Sequence, residues 1–307
     1  RPAPDRLTGF YLAMAIGGVI GGLFPALLAP ALFDWTWEHV LLIFAAGLLV
    51  PLAFPVGWMR RLWGGGRRAW LLTLGVVLAM VLILFIVIRR LPVLGADREI
   101  IGYAAVLAIG LFCLGRRLAF AAALAAMLML LGGYDQLMTT VKGDQRTRSY
   151  YGIYTIYDWP GGGMRLLSHG TTFHGLQLTT KGDETEPTSY YERNSGVGQA
   201  MLLAPSLYGP AARVGVVGLG TGTLACYARP GQHWTFYEID PTVVAIARDS
   251  TKFSFLERCL PDVPIRIGDA RLSLEHARPA SLDLLVLDAF SSDSVPMHLL
   301  TREAFAA

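Results

Sequence analysis

Charge is scarce in this chain. Only 16% of its 307 residues are Asp, Glu, Lys or Arg, whereas 53% are hydrophobic. An ordinary soluble domain has about 25% charged residues. The deficit lies almost wholly before Tyr134, which excludes a uniformly soluble protein. Cysteine is scarce too. Cys113, Cys226 and Cys259 carry neither metal-ligand nor disulfide spacing, so all three read as packing residues and no metal site is expected. The basic excess is small, +3 at pH 7. Its arginines cluster at the ends of apolar stretches, where a membrane boundary accounts for them, so nucleic acid is not an expected partner. The chain opens on Arg1 with no charged segment and cleavage site before the first apolar run, and it stops at Ala307. No signal peptide is expected, and the chain reads as a piece of a longer protein.

The first half holds five apolar stretches, at residues 7–32, 40–56, 69–88, 100–114 and 118–133. The first three meet or approach the ~20 residues of a spanning helix, and the last two fall short of it. Trp35, Trp37, Trp58, Trp63 and Trp70 stand at their ends, where interfacial indoles are expected. A multi-pass membrane region in a bilayer follows. Positive-inside counting places Arg60, Arg61, Arg67, Arg68, Arg116 and Arg117 in the cytoplasm and the second half of the chain outside. Supply of a nucleotide-like cofactor argues the other way, and on that ground the second half is expected in the cytoplasm.

That second half contains its most informative stretch, VGVVGLGTGTLACYARPGQHWTFYEID, from Val214 to Asp240. An apolar strand ends in Gly218-Leu219-Gly220-Thr221-Gly222, and a second ends in Glu238-Ile239-Asp240. The glycines allow a tight turn and close approach of a ligand, and a helix expected to start near Thr221 offers free N–H groups. An acid about 20 residues on is placed to accept from a ribose diol. The order predicts a nucleoside site. Asp269 precedes a helix-like RLSLEHAR and reads as an adenine contact, an N-cap, or both. Asp288 ends the apolar run at 284–287, where open α/β sheets bind ligands. Asp288 and Asp293 together suit an amine substrate: one takes a proton, the other holds a distal ammonium group. The alternative is a strand end and a helix cap. Residues 150–157 and 165–179, separated by Gly161-Gly162-Gly163, read as strands of an antiparallel unit. His169 and His174 in that segment lack a third ligand at metal spacing, so a turn or substrate-edge role is expected.

GLGTGTLA, FYEIDPTVV, IRIGDARLSL and LDLLVLDAFSSDSVPMHLLT, in that order, resemble the spermidine synthase family. The resemblance covers about half of the chain, roughly residues 149–307. The apolar half resembles the membrane part of bacterial fused transporter-like/spermidine synthase proteins, which implies a bacterial inner-membrane location. The resemblance implies a class I S-adenosylmethionine-binding fold of Rossmann type behind a small β unit. It gives domains at 1–140 (membrane helices), 141–190 (β unit) and 191–307 (α/β). It further implies that Gly218, Gly220, Thr221, Gly222, Glu238 and Asp269 bind decarboxylated S-adenosylmethionine or S-adenosylmethionine as co-substrate. Asp288 is then the base, Asp293 an amine anchor, and Gln177 and Tyr191 line the substrate site. A polyamine or other amine is the expected substrate, and a homodimer is a candidate assembly.

One departure stands out. The family's glycine turn carries an aspartate where this chain has Thr221, and threonine cannot form the ion pair with an aminopropyl amine. Aminopropyl transfer is the first expectation. A methyltransferase on the same fold, or a nucleoside- or polyamine-sensing domain that regulates a membrane transporter, are the alternatives.

Overall fold

The computed structural model describes residues 3–49, 56–91, 95–143, 145–289 and 296–306. The chain divides into two compact units, Arg1–Gly143 and Asp144–Ala307.

The first unit is helical. Three helical segments are long and apolar enough to cross a membrane: Pro4–Leu32, Gly66–Ile88 and Arg117–Lys142. Among the described residues, two of the five expected spans fall on shorter helices. Trp37–Leu48 has 12 residues and Arg98–Phe112 has 15. At 1.5 Å per residue these reach about 18 and 22 Å, short of the ~30 Å hydrocarbon layer. The last expected span is longer than its apolar run, because the chain stays helical to Lys142 through a bend at Gly132 (φ +101°). Small residues bring these helices together. A Cβ on Gly47 would lie 3.0 Å from Leu124, and one on Gly110 would lie 3.4 Å from Ala123; small residues serve the same purpose in lipid. Large apolar side chains such as Leu12, Ile20, Leu71, Leu82 and Leu107 remain exposed on the helices, as expected of surfaces that face lipid.

The second unit carries two four-stranded sheets. The first is antiparallel, in order β1-β2-β3-β4, with β1 Arg146–Arg148, β2 Ile153–Asp158, β3 Met164–His169 and β4 Thr172–Leu178. The segment 165–179, which reads as one strand, is a hairpin instead. Gly170 (φ +60°) supplies the turn, because a left-handed residue there costs glycine little. The second sheet is parallel, in order β7-β6-β5-β8, with β5 Arg213–Val217, β6 His233–Glu238, β7 Ile265–Ile267 and β8 Leu284–Leu287. This is a Rossmann-like order. The chain leaves β5 toward β6 on one side, and β8 returns on the other. The crevice for ligands therefore opens at the C-terminal ends of β5 and β8.

Both sheets contribute to one core. Val214, Val216 and Phe236 from the parallel sheet cluster with Tyr154, Ile156 and Leu167 from the antiparallel one. The continuous apolar run of β5 is explained by burial, since Val214 and Val216 are fully buried.

Two expectations need correction. The helix expected near Thr221 is only a five-residue 3-10 turn, Thr223–Tyr227. Pro230, three residues beyond, cannot continue a helix, and so short a turn offers no helix dipole to a ligand. Cys226 and Cys259 are not mere packing residues. They form a disulfide with Cα atoms 4.9 Å apart. Their separation of 33 residues gives no pairing signal in sequence. The fold brings the turn after β5 against the helix Phe255–Cys259.

Candidate active site

The site is built at the ends of β5, β6 and β8. Gly218 follows β5 with φ +97°, and a Cβ there would lie 2.5 Å from the Asp288 carbonyl oxygen. Only glycine lets the two neighbouring strand ends approach this closely. The turn, the acid and the candidate base are thereby placed around one cavity of about 470 Å³, within the usual range for small-molecule sites. Gly218, Gly220, Glu238, Asp269, Asp288 and Tyr191 all line it.

Glu238 ends β6 and is almost fully buried. Its carboxylate accepts from Leu219 N at 2.9 Å and from Asp240 N at 3.0 Å. Burial raises its pKa, and these backbone donors oppose the rise. A carboxylate has about four lone-pair sites, so capacity for a ribose diol remains. Asp269 caps the helix Ala270–Glu275, accepting from Arg271 N at 2.8 Å. It also lines the cavity, so its two readings are compatible.

Asp288 has the strongest electrostatic signature. Burial pushes its carboxyl up from 3.8 to about 6, and the Tyr191 hydroxyl opposes that rise by donating to Oδ2 at 2.5 Å. A carboxyl tuned toward neutral pH is what proton transfer at pH 7 calls for. Tyr191 is itself buried, and burial next to Asp288 holds its hydroxyl well above the ordinary tyrosine range. Its backbone carbonyl accepts from Tyr227 Oη at 2.5 Å, which anchors the turn Ser189–Tyr191.

Three of the expected contacts are placed elsewhere. Thr221 is 1% exposed, shares a hydrogen bond of 2.9 Å with Thr223, and is not among the lining residues. Gly222 adopts φ +86° against Leu256, behind the turn. Gln177 donates to Glu184 O at 2.7 Å and to Ser254 Oγ at 2.9 Å, and accepts from Ser254 N at 3.1 Å. Its amide bridges two chain segments rather than facing the cavity. Asp293 lies outside the described residues. His169, His174, Tyr151 and Tyr154 also line the cavity. The available signal was two histidines, His169 and His174, close together in one segment. Among the described residues, no three His, Cys, Asp or Glu side chains are grouped to hold a metal ion.

No protein-family model matches the chain. A polyamine aminopropyltransferase from Vibrio vulnificus is 33% identical over 109 residues, which are 34% of this chain and 35% of that protein. Over those residues the chain is similar to that aminopropyltransferase. The matched part spans about a third of that relative's length. The crystal structure of spermidine synthase from Thermotoga maritima is 20% identical, covering 52% of this chain and 50% of that one, with a TM-score of 0.36.

Proposed function

We propose that the protein is a membrane-anchored transferase that moves an aminopropyl group from decarboxylated S-adenosylmethionine to an amine. The observation that carries this reading is Asp288, raised to about 6 and held by Tyr191 at the end of β8, beside the glycine turn. The name of the Vibrio vulnificus relative supports it. Glu238 and Asp269 would hold the nucleoside by its ribose and adenine.

In the reaction, the amine nitrogen forms a bond to the aminopropyl carbon attached to sulfur. The carbon–sulfur bond breaks, its electron pair returns to sulfur, and the sulfonium becomes a neutral thioether. The nitrogen must lose a proton, because an alkylamine has a pKa near ~10.4 and is protonated at pH 7. At about 6, Asp288 is roughly nine-tenths ionised at pH 7 and can accept it. Asp293, at the next loop in sequence, would hold the far ammonium group. Because the Thr221 side chain does not line the cavity, the donor's own amine would have to find its partner among Glu238, Asp269 and Asp288. Assay of a diamine and triamine panel with both S-adenosyl donors tests the reading. Turnover with decarboxylated S-adenosylmethionine supports it, and methyl transfer from S-adenosylmethionine would replace it with the methyltransferase.

The Cys226–Cys259 disulfide favours a second reading. Disulfides persist in oxidising compartments and are rare in the cytosol. Positive-inside counting of the arginine loops points to the same side. Outside the cytoplasm, away from the cell's nucleotide supply, the domain would bind a nucleoside or polyamine and regulate the membrane unit. Labelling of intact cells with an impermeant maleimide after reduction separates the two. Cysteines accessible from outside favour the sensor, and thiols reduced and protected in intact cells favour the cytoplasmic enzyme.

A further inference from the structure

One side chain on the cavity wall has no task in the scheme above. His174 lies in β4 at an irregularity of the β3–β4 ladder. Leu167 pairs with Gly175 and Ser168 pairs with Phe173, so His174 is the extra residue with none opposite. Such a bulge bends the strand and re-aims the side chain it carries. His174 is among the residues that line the cavity, and its Nε2 is buried without a hydrogen-bond partner. Its backbone sits over the glycine turn. A Cβ on Gly220 would meet the His174 carbonyl oxygen at 2.7 Å and Tyr191 Oη at 3.7 Å. Tyr191 Oη in turn holds Asp288. The histidine strand, the tyrosine and the candidate base therefore converge over one turn of the chain.

Buried polar atoms are nearly always paired, because an unpaired one is costly. An unpaired buried nitrogen in a cavity-lining residue points to a ligand atom as its partner. Burial, aided by the nearby His169, lowers the His174 pKa to about 4, so the ring is neutral. With its proton on Nδ1, a neutral imidazole presents Nε2 as an acceptor. An alkylammonium brings three N–H donors. One proton must leave before the lone pair can attack, and the other two N–H groups need acceptors that fix where the lone pair points. One Asp288 oxygen is already engaged by Tyr191. His169 is occupied differently, with Nε2 3.2 Å from Tyr151 O and its ring stacked on Tyr154.

We propose that His174 Nε2 accepts a hydrogen bond from the nucleophilic nitrogen of the amine substrate, beside Asp288, and aims its lone pair at the carbon bound to sulfur. This assignment rests on the transferase reading. The test compares the wild-type full chain with His174→Phe, which keeps a flat ring and removes the nitrogen, and His174→Gln, which restores an acceptor oxygen. Amine turnover with decarboxylated S-adenosylmethionine is measured beside the affinity for 5′-methylthioadenosine, the thioether product. The expected result is a fall of about 10- to 100-fold in kcat/KM for the amine in His174→Phe, the worth of a hydrogen bond to a charged group. His174→Gln should fall less, and thioether affinity should be unchanged in both. Wild-type kcat/KM in His174→Phe overturns the assignment and leaves the transferase reading standing. Parallel loss of thioether affinity overturns it in favour of a nucleoside-binding or structural role. Absence of turnover in the wild type with every amine refutes the transferase reading itself, and the assignment with it.

Discussion

Asp288→Asn should stabilise the second unit at neutral pH while abolishing turnover. Burial raises the Asp288 carboxyl from 3.8 to about 6, so the folded unit binds this proton more tightly than the unfolded chain. The contribution of the protonated form to stability is complete below about pH 4 and is lost as pH rises through 6. The gap is worth about 3 kcal/mol at 1.36 kcal/mol per pKa unit. Asparagine is neutral at every pH and keeps an oxygen for the Tyr191 hydroxyl. Relative to wild type, the variant should therefore gain up to about 3 kcal/mol at pH 8 and only about 1 kcal/mol at pH 4.5. Hydrogen exchange reads this within the unit, whatever the membrane helices do. The Asp288 amide donates to Val217 O at 2.8 Å, and β5 and β8 share their ladder from Val214 to Leu287. If these amides exchange through global opening of the unit, they should exchange roughly 100-fold more slowly in the variant at pH 8, since about 1.4 kcal/mol is tenfold. A variant that is less protected at pH 8, or equally stabilised at pH 4.5 and 8, would refute the assignment of a buried, raised carboxyl.

Tyr191→Phe removes the donor that opposes that rise, so the acidic limb of the kcat/KM profile should move up by about 1–2 pH units, the worth of a hydrogen bond to a charged group; an unmoved limb would separate the tyrosine from the base. Glu238→Ala should weaken binding of an S-adenosyl nucleoside by about 1.5–3 kcal/mol, and equal calorimetric affinity would remove the ribose assignment. Gly175→Ala would place a methyl 2.3 Å from Thr221 Oγ1 and should cost about 1–3 kcal/mol by overpacking, whereas a wild-type melting curve would show that the strand yields there. Replacing Cys226 and Cys259 with serine should cost up to about 4 kcal/mol on the chain-entropy estimate for a loop of this length, read as a lower midpoint in denaturant. Recovery of the full chain as a monodisperse species without detergent would contradict the membrane reading of Pro4–Leu32, Gly66–Ile88 and Arg117–Lys142.

What the sequence determined by itself was local and periodic. The apolar run of β5, the Gly218–Gly222 turn, the acid at the end of β6 and the aspartate after β8 could be read in order, because each obeys a rule of a few residues: burial makes a strand apolar on both faces, close approach demands glycine, and strand ends carry the polar ligands. The length and composition of the first half likewise announced helices suited to a bilayer. Tertiary structure decided what depends on residues far apart in the chain. Cys226 meets Cys259 only because a turn and a helix pack together. Gln177 is bound to Glu184 and Ser254 by a bridge no spacing rule describes. Asp288 acquires its raised pKa from burial and from Tyr191, 97 residues away. His174 reaches the cavity through a single irregularity in strand register. Register, burial and long-range hydrogen bonds arise from packing of whole elements against one another, and a linear pattern of residue types does not encode them.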